Sequence, residues 1–169
     1  MHISIYNHQK DLPLSSSQAK KILACLLDHL NIETDEISIH FVSTKKICEL
    51  HDQFFNDPSS TDCITLPIDP PDQKSDSYHI LGEVFVCPRT AIEYAKKKNL
   101  DPYLETTLYM IHGVLHLIGY DDMTPQDKRK MRRKEKECLS AVSSFSLQSS
   151  KKGCLKIGKN GLITKNKTI

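Results

Sequence analysis

Apolar and polar residues alternate through HISIYN (2–7), and a period of two predicts a strand. From Leu14 to Leu30 the period changes. Ala19, Ile22, Leu23, Leu26, Leu27 and Leu30 recur at helical spacing, with Ser15–Ser17 offering a cap. EISIHFVS (36–43) returns to alternation, with Ile37, Ile39 and Phe41 on one face. Thr44 is read as the cap of a helix reaching Phe55, and NDPSS (56–60) as a turn. A strand follows over 62–68. A polar, Pro-rich connection (67–77) leads to the apolar strand ILGEVFVC (80–87), read as central.

Two further helices open on prolines, Pro88–Lys98 and Pro102–Ile118. In the second, Leu104, Leu108, Ile111, Leu115 and Ile118 form one stripe, with Met110 and Val114 beside it. Gly119 ends that helix, and Thr124-Pro125 opens a last one to about Val142. The expected architecture is α+β, with about four strands and about five helices.

Composition narrows the class. A chain of 169 residues with 38% apolar residues and a net charge of +2 holds enough apolar material for one folded domain. No run of about 20 apolar residues marks a membrane span, and MHISIYNHQK lacks the pattern of a signal peptide. Six cysteines without a CxxC read as reduced thiols, so the expected compartment is the cytoplasm. Charge is uneven. From Ser146 onward there are six lysines and no acid, leaving 17 basic and 21 acidic residues before it. The expected division is a single domain over 1–145 and a basic, flexible tail over 146–169, with GKNG as a turn. Lys151 and Lys152 of that tail are candidate phosphate contacts. Lys128, Arg129, Arg132 and Arg133 form a second cluster, on the last helix. A solvated helix face explains the same pattern.

The chemistry concentrates in HGVLHLIGYDD (112–122). His112 and His116 are four residues apart, which turns a helix by ~400° and leaves the two rings ~40° apart on one face. Gly119 permits a sharp reversal that returns Asp121 or Asp122 toward the histidines. Two imidazoles and one carboxylate leave an open position on a tetrahedral Zn²⁺, as a hydrolytic metal requires. The spacing also matches zincin-like peptidases, but their general base follows the first histidine, where this chain has Gly113. That disfavours a metallopeptidase.

These residues closely resemble the H-G-x-L-H-L-x-G-Y-D-H signature of the bacterial YbeY family, metal-dependent endoribonucleases of ribosomal RNA maturation. STDCITLP (60–67) looks like the family's P-T-D-V-L-S-F-P, and LGEV (81–84) like its L-G-D-I. The resemblance runs through most of 36–140 and does not cover the tail. It implies a small mixed β-sheet packed by helices, with a cleft over a metal, cleavage of single-stranded RNA rather than DNA, small-subunit ribosomal RNA and the small ribosomal subunit as partners, and a role in ribosome quality control. Its metal histidines fall on His112 and His116, and Asp122 stands at its third histidine. Aspartate lowers the charge of a zinc site by one, which makes bound water less acidic and harder ions more competitive.

Phe55 stands seven residues before Asp62, where the family has an arginine. An aromatic ring stacks on bases but does not grip phosphate. One of Phe54 and Phe55 is expected in the core. Lys45 and Lys46, or the 129–133 cluster, are candidates for the missing charge. Asp62 and Asp121 are candidates for the general base. Asp62 alternatively caps backbone amides, and Asp121 alternatively orients a histidine. Glu83 is an unusual carboxylate on an apolar strand, and Tyr120 is expected to pack. A non-catalytic RNA- or ribosome-binding factor with a structural metal is the alternative reading.

Overall fold

A computed structural model describes residues 1–72 and 77–148. In chain order it runs β1 (His2–Asn7), α1 (Ser16–His29), β2 (Glu36–Phe41), α2 (Thr44–Phe55), β3 (Cys63–Pro67), β4 (Ile80–Val86), α3 (Pro88–Lys98), α4 (Pro102–Leu117) and α5 (Pro125–Ala141). The strands form one sheet in the order β1-β2-β4-β3. β1, β2 and β4 are parallel, and β3 pairs antiparallel on the edge beside β4.

Register assigns the two faces. Ile5, Ile39, Val84 and Thr65 share one row, and Phe41, Val86 and Cys63 another on the same face. This face joins α1 and α4 in the main core, where Ile22, Leu23, Leu26, Ile111 and Leu115 are fully buried. The opposite face carries Tyr6, His40, Phe85 and Ile64 in one row. There α2 contributes Ile47 and Leu50 to a smaller cluster with Ile64, Phe85 and Leu66. The rings of Tyr6, His40 and Phe85 stack across three strands, with centroids 4.7 and 4.5 Å apart.

Helix ends follow side-chain chemistry. Ser15 caps α1 by accepting the Gln18 amide. Ser43, not Thr44, caps α2 by accepting the Lys46 amide, and Thr44 is the first helical residue. The expected strand 36–43 stops at Phe41 because Ser43 is taken by this cap. Thr124 accepts the Asp127 amide and donates its hydroxyl to the Asp127 carboxylate, which fixes the start of α5. The packing runs past residue 145. Leu147 is fully buried in the main core, and its carbonyl accepts the Ser15 amide. Residues 149–169, including Lys151, Lys152 and the GKNG segment, lie outside the described residues. Cys25, Cys48, Cys63, Cys87 and Cys138 are free thiols. Among the described residues no helix is long and apolar enough to cross a membrane.

Candidate metal centre

The site is built at the C-terminal end of α4. Gly113 lets the helix lie close on the sheet. A Cβ there would collide with Val84 of β4 and press on Thr65 of β3, 3.4 Å away. No glutamate fits at this position, so the general base of a zincin-like peptidase is sterically excluded as well as absent. After Leu117 the helix closes in a Schellman turn. The Gly119 amide donates to the His116 carbonyl and the Tyr120 amide to the Leu115 carbonyl. Gly119 takes φ of 90°, where L side chains are strained. The chain then turns back, and the Asp121 Oδ1 accepts the amides of Asp122 and Met123. Asp121 therefore shapes the turn and orients neither histidine.

This turn brings Asp122 to the histidines. His112 Nε2 and His116 Nε2 are 3.0 Å apart, and Asp122 Oδ1 lies 4.0 Å from His116 Nε2. One ligand atom from each of the three residues falls within 4.8 Å of the others, a group that could hold a metal ion. The two rings stand nearly perpendicular, with an interplanar angle of 88°. Each uses its other nitrogen as an anchor. His116 Nδ1 donates to the Tyr120 carbonyl at 2.9 Å, and His112 Nδ1 donates to Glu135 Oε1 of α5 at 2.6 Å.

Glu135 is the residue that sequence reasoning missed. It lies 23 positions from His112 inside a basic run, so charge count hides it. A signal was present. Glu135 falls four residues after Met131 and three before Cys138, the buried positions of α5. A carboxylate on the buried side of a helix needs a partner.

The surroundings are acidic. Burial lowers the His112 pKa, but the Glu135 hydrogen bond and the charges of Asp62, Glu135 and Asp122 outweigh it and leave it raised. Burial, then Asp62, Asp122 and Glu135, push the Cys63 thiol well up. Burial also raises the Tyr109 hydroxyl, with Asp62 and Glu105 adding to it. Glu105, buried two turns before His112, is raised by its own burial and by the charge of Glu135. The charges of Asp62, Asp122 and Glu135 thus act together on His112, a setting suited to a cation.

Other expected residues fall elsewhere. Asp62 does serve backbone geometry, accepting the Cys63 amide at 2.8 Å and the Thr61 hydroxyl at 3.1 Å, and its charge also reaches His112. Glu83 points to the opposite face of the sheet from Val84, 3.4 Å from His40, and is no part of this site. Tyr120 packs against the main core as expected. Phe54 and Phe55 are both exposed, at 44% and 59%, so neither fills the core. Ile47 and Leu50 take the buried side of α2 instead. Lys45 and Lys46 pair with Glu49 on the same helix. On α5, Lys128, Arg129, Arg132, Arg133 and Lys136 are all exposed. Lys130 and Lys134 are held by Asp127 and Glu137.

A mixed sheet carrying a His-x3-His helix and an aspartate-bearing return loop defines an α+β protein with a candidate metal centre. Residues 4–143 match the family model described as Endoribonuclease YbeY. Endoribonuclease YbeY of Protochlamydia amoebophila is 47% identical over 145 residues, covering 86% of this chain and 95% of that protein. Endoribonuclease YbeY of Chlamydia felis is 43% identical over 140 residues, covering 81% and 88%. The solution structure of TM1509 from Thermotoga maritima aligns with a TM-score of 0.58 at 26% identity, covering 83% of this chain and 89% of that one. This chain belongs to the YbeY family.

Proposed function

We propose that this protein is a zinc-dependent endoribonuclease that cuts single-stranded RNA, with His112, His116 and Asp122 holding the ion. The observation that carries this reading is the pair of Nε2 atoms 3.0 Å apart. A backbone carbonyl only accepts, so the Tyr120 oxygen places the His116 proton on Nδ1. The Glu135 carboxylate does the same for His112. With both rings neutral, the two Nε2 atoms then carry the lone pairs that a shared cation would take. Ligands on a tetrahedral zinc lie ~3.4 Å apart, given bonds of about 2.0–2.1 Å, and small shifts of these three side chains reach that spacing.

When bound, the ion supplies Lewis acidity toward a phosphate oxygen and lowers the pKa of water. The protein's own residues divide the remaining tasks. Asp62 is the candidate base, its carboxylate steadied by the Thr61 hydroxyl and the Cys63 amide. Lys128, Arg129, Arg132 and Arg133 offer positive charge along α5 for the RNA backbone. Lys151 and Lys152 of the tail extend that charge in sequence. Phe55 offers a stacking ring where the family arginine would grip phosphate. The family resemblance supports small-subunit ribosomal RNA as the substrate, the ribosome as the setting and the cytoplasm as the compartment.

The test is cleavage of single-stranded RNA by zinc-loaded protein, with a chelator and His116→Ala as controls. Cutting that both controls abolish is the expected result. An intact substrate in the presence of verified metal-bound protein and small ribosomal subunits would overturn the reading in favour of a binding factor. Asp122→Ala is expected to lower the zinc content at equilibrium, and wild-type content would remove Asp122 from the ligand set.

A further inference from the structure

We propose that Glu135 is a positioning residue for the metal centre, acting through His112 and touching no substrate. The inference rests on the metal-binding reading above. Its basis is the 2.6 Å hydrogen bond between His112 Nδ1 and Glu135 Oε1, made by side chains only 16% and 15% exposed. A bond this short between a ring N–H and a carboxylate is charge-assisted. It selects the tautomer in which Nε2 carries the lone pair, and it fixes the ring about its own axis. It also places a negative charge behind the ring, which makes Nε2 a stronger donor.

The two histidines are thus braced from different sources. Tyr120, part of the same return turn as Asp122, braces His116 by its carbonyl. Glu135 comes from another helix and braces His112 by its side chain. The register of α5 sets this brace. Met131 and Cys138 are buried in the core, so α5 is held on both sides of Glu135. The Thr124–Asp127 cap, whose Thr124 is only two residues after Asp122, fixes where the helix starts. One short segment therefore delivers a candidate ligand, a helix start and the brace for a second ligand.

The experiment is a cobalt and zinc titration of the metal-free protein by calorimetry and by cobalt absorption, for wild type, Glu135→Gln, Glu135→Ala and His112→Ala, and for Glu135→Ala combined with His112→Ala. Glu135→Ala is expected to weaken binding by about 10- to 100-fold. Glu135→Gln keeps an acceptor without the charge and is expected between that variant and wild type. The double variant is expected to bind no more weakly than His112→Ala, because the brace acts only through that ring. A loss that persists in the His112→Ala background would mean a general electrostatic or structural role and would overturn the proposal. So would wild-type affinity in Glu135→Ala. If wild type itself fails to bind either ion, the metal-binding reading falls, and this proposal with it. Circular dichroism of each variant separates loss of binding from loss of fold.

Discussion

Gly113 shows how one missing side chain sets both the packing and the chemistry. Its hydrogen sits against Val84 and Thr65, so the helix bearing His112 approaches the sheet more closely than any other residue would allow. Gly113→Ala inserts a methyl into a filled space, a change that costs about 1–3 kcal/mol. Urea denaturation of the metal-free protein is expected to show that loss. Zinc affinity is expected to fall as well, because the helix that backs off carries both ring ligands. At this scale much of the site was legible. His112 and His116 were visible because spacing on a helix is a local fact, and the glycine after it pointed to Asp121 or Asp122, between which only the family resemblance chose. Glu135 was not, since its partner lies on a different helix and only tertiary packing brings them together. The expectation that one of Phe54 and Phe55 lies in the core failed for a related reason. At the end of α2 an apolar residue has no obligation to face inward, and Ile47 and Leu50 already supply the buried side.

At the scale of the element, α5 combines anchoring and charge. With Glu135 as zero, Lys128 and Arg132 lie ~20° and ~60° around the helix, and Arg129 and Arg133 ~120° and ~160°. The cations thus grade away from the metal centre on one side. Lys128 and Arg132 are therefore the two cations expected to contact RNA held at the histidines. The combined change Lys128→Ala with Arg132→Ala is expected to weaken single-stranded RNA binding and to reduce the salt slope by ~1.4, about 0.7 per lost phosphate contact. Arg133→Ala, farther around the helix, is expected to reduce the slope by less than either of these changes. Fluorescence anisotropy at several salt concentrations reads both. The helices themselves were legible from period and caps. Their exact ends were less so, because neighbouring Ser and Thr residues compete for the cap, as Ser43 and Thr44 do.

For the whole molecule, the sheet has two unlike faces. One is sealed by α1 and α4, and the other is only partly covered by α2. On the second face His40 is stacked between Tyr6 and Phe85, with Glu83 3.4 Å away. Burial lowers its pKa below 6.5, and the nearby Glu83 only partly offsets this, while His8 adds to the lowering. A group with a depressed folded pKa gives stability that is present above its unfolded value and lost as pH falls through the folded one. Global stability is therefore expected to decline below pH 6.5 more steeply in wild type than in His40→Phe, which keeps the stack and cannot titrate. Denaturant midpoints measured across that range test this. The α+β class was legible, because strand and helix segments differ in pattern, whereas the mixed sheet was implied only by the family resemblance. Which face each helix covers was not, since both faces carry apolar residues. The packing of Leu147 was hidden too, as one leucine in a polar stretch gives no period.

The two braces of the metal centre differ in heritability. The carbonyl that orients His116 belongs to the backbone of a closed turn, and no substitution of the Tyr120 side chain deletes it. The carboxylate that orients His112 is a side chain, open to replacement in a single codon. One half of the site is thus secured by the geometry of the fold, while the other hangs on one side chain. A single substitution thus has an easy route to a looser site through position 135 and a hard one through position 120.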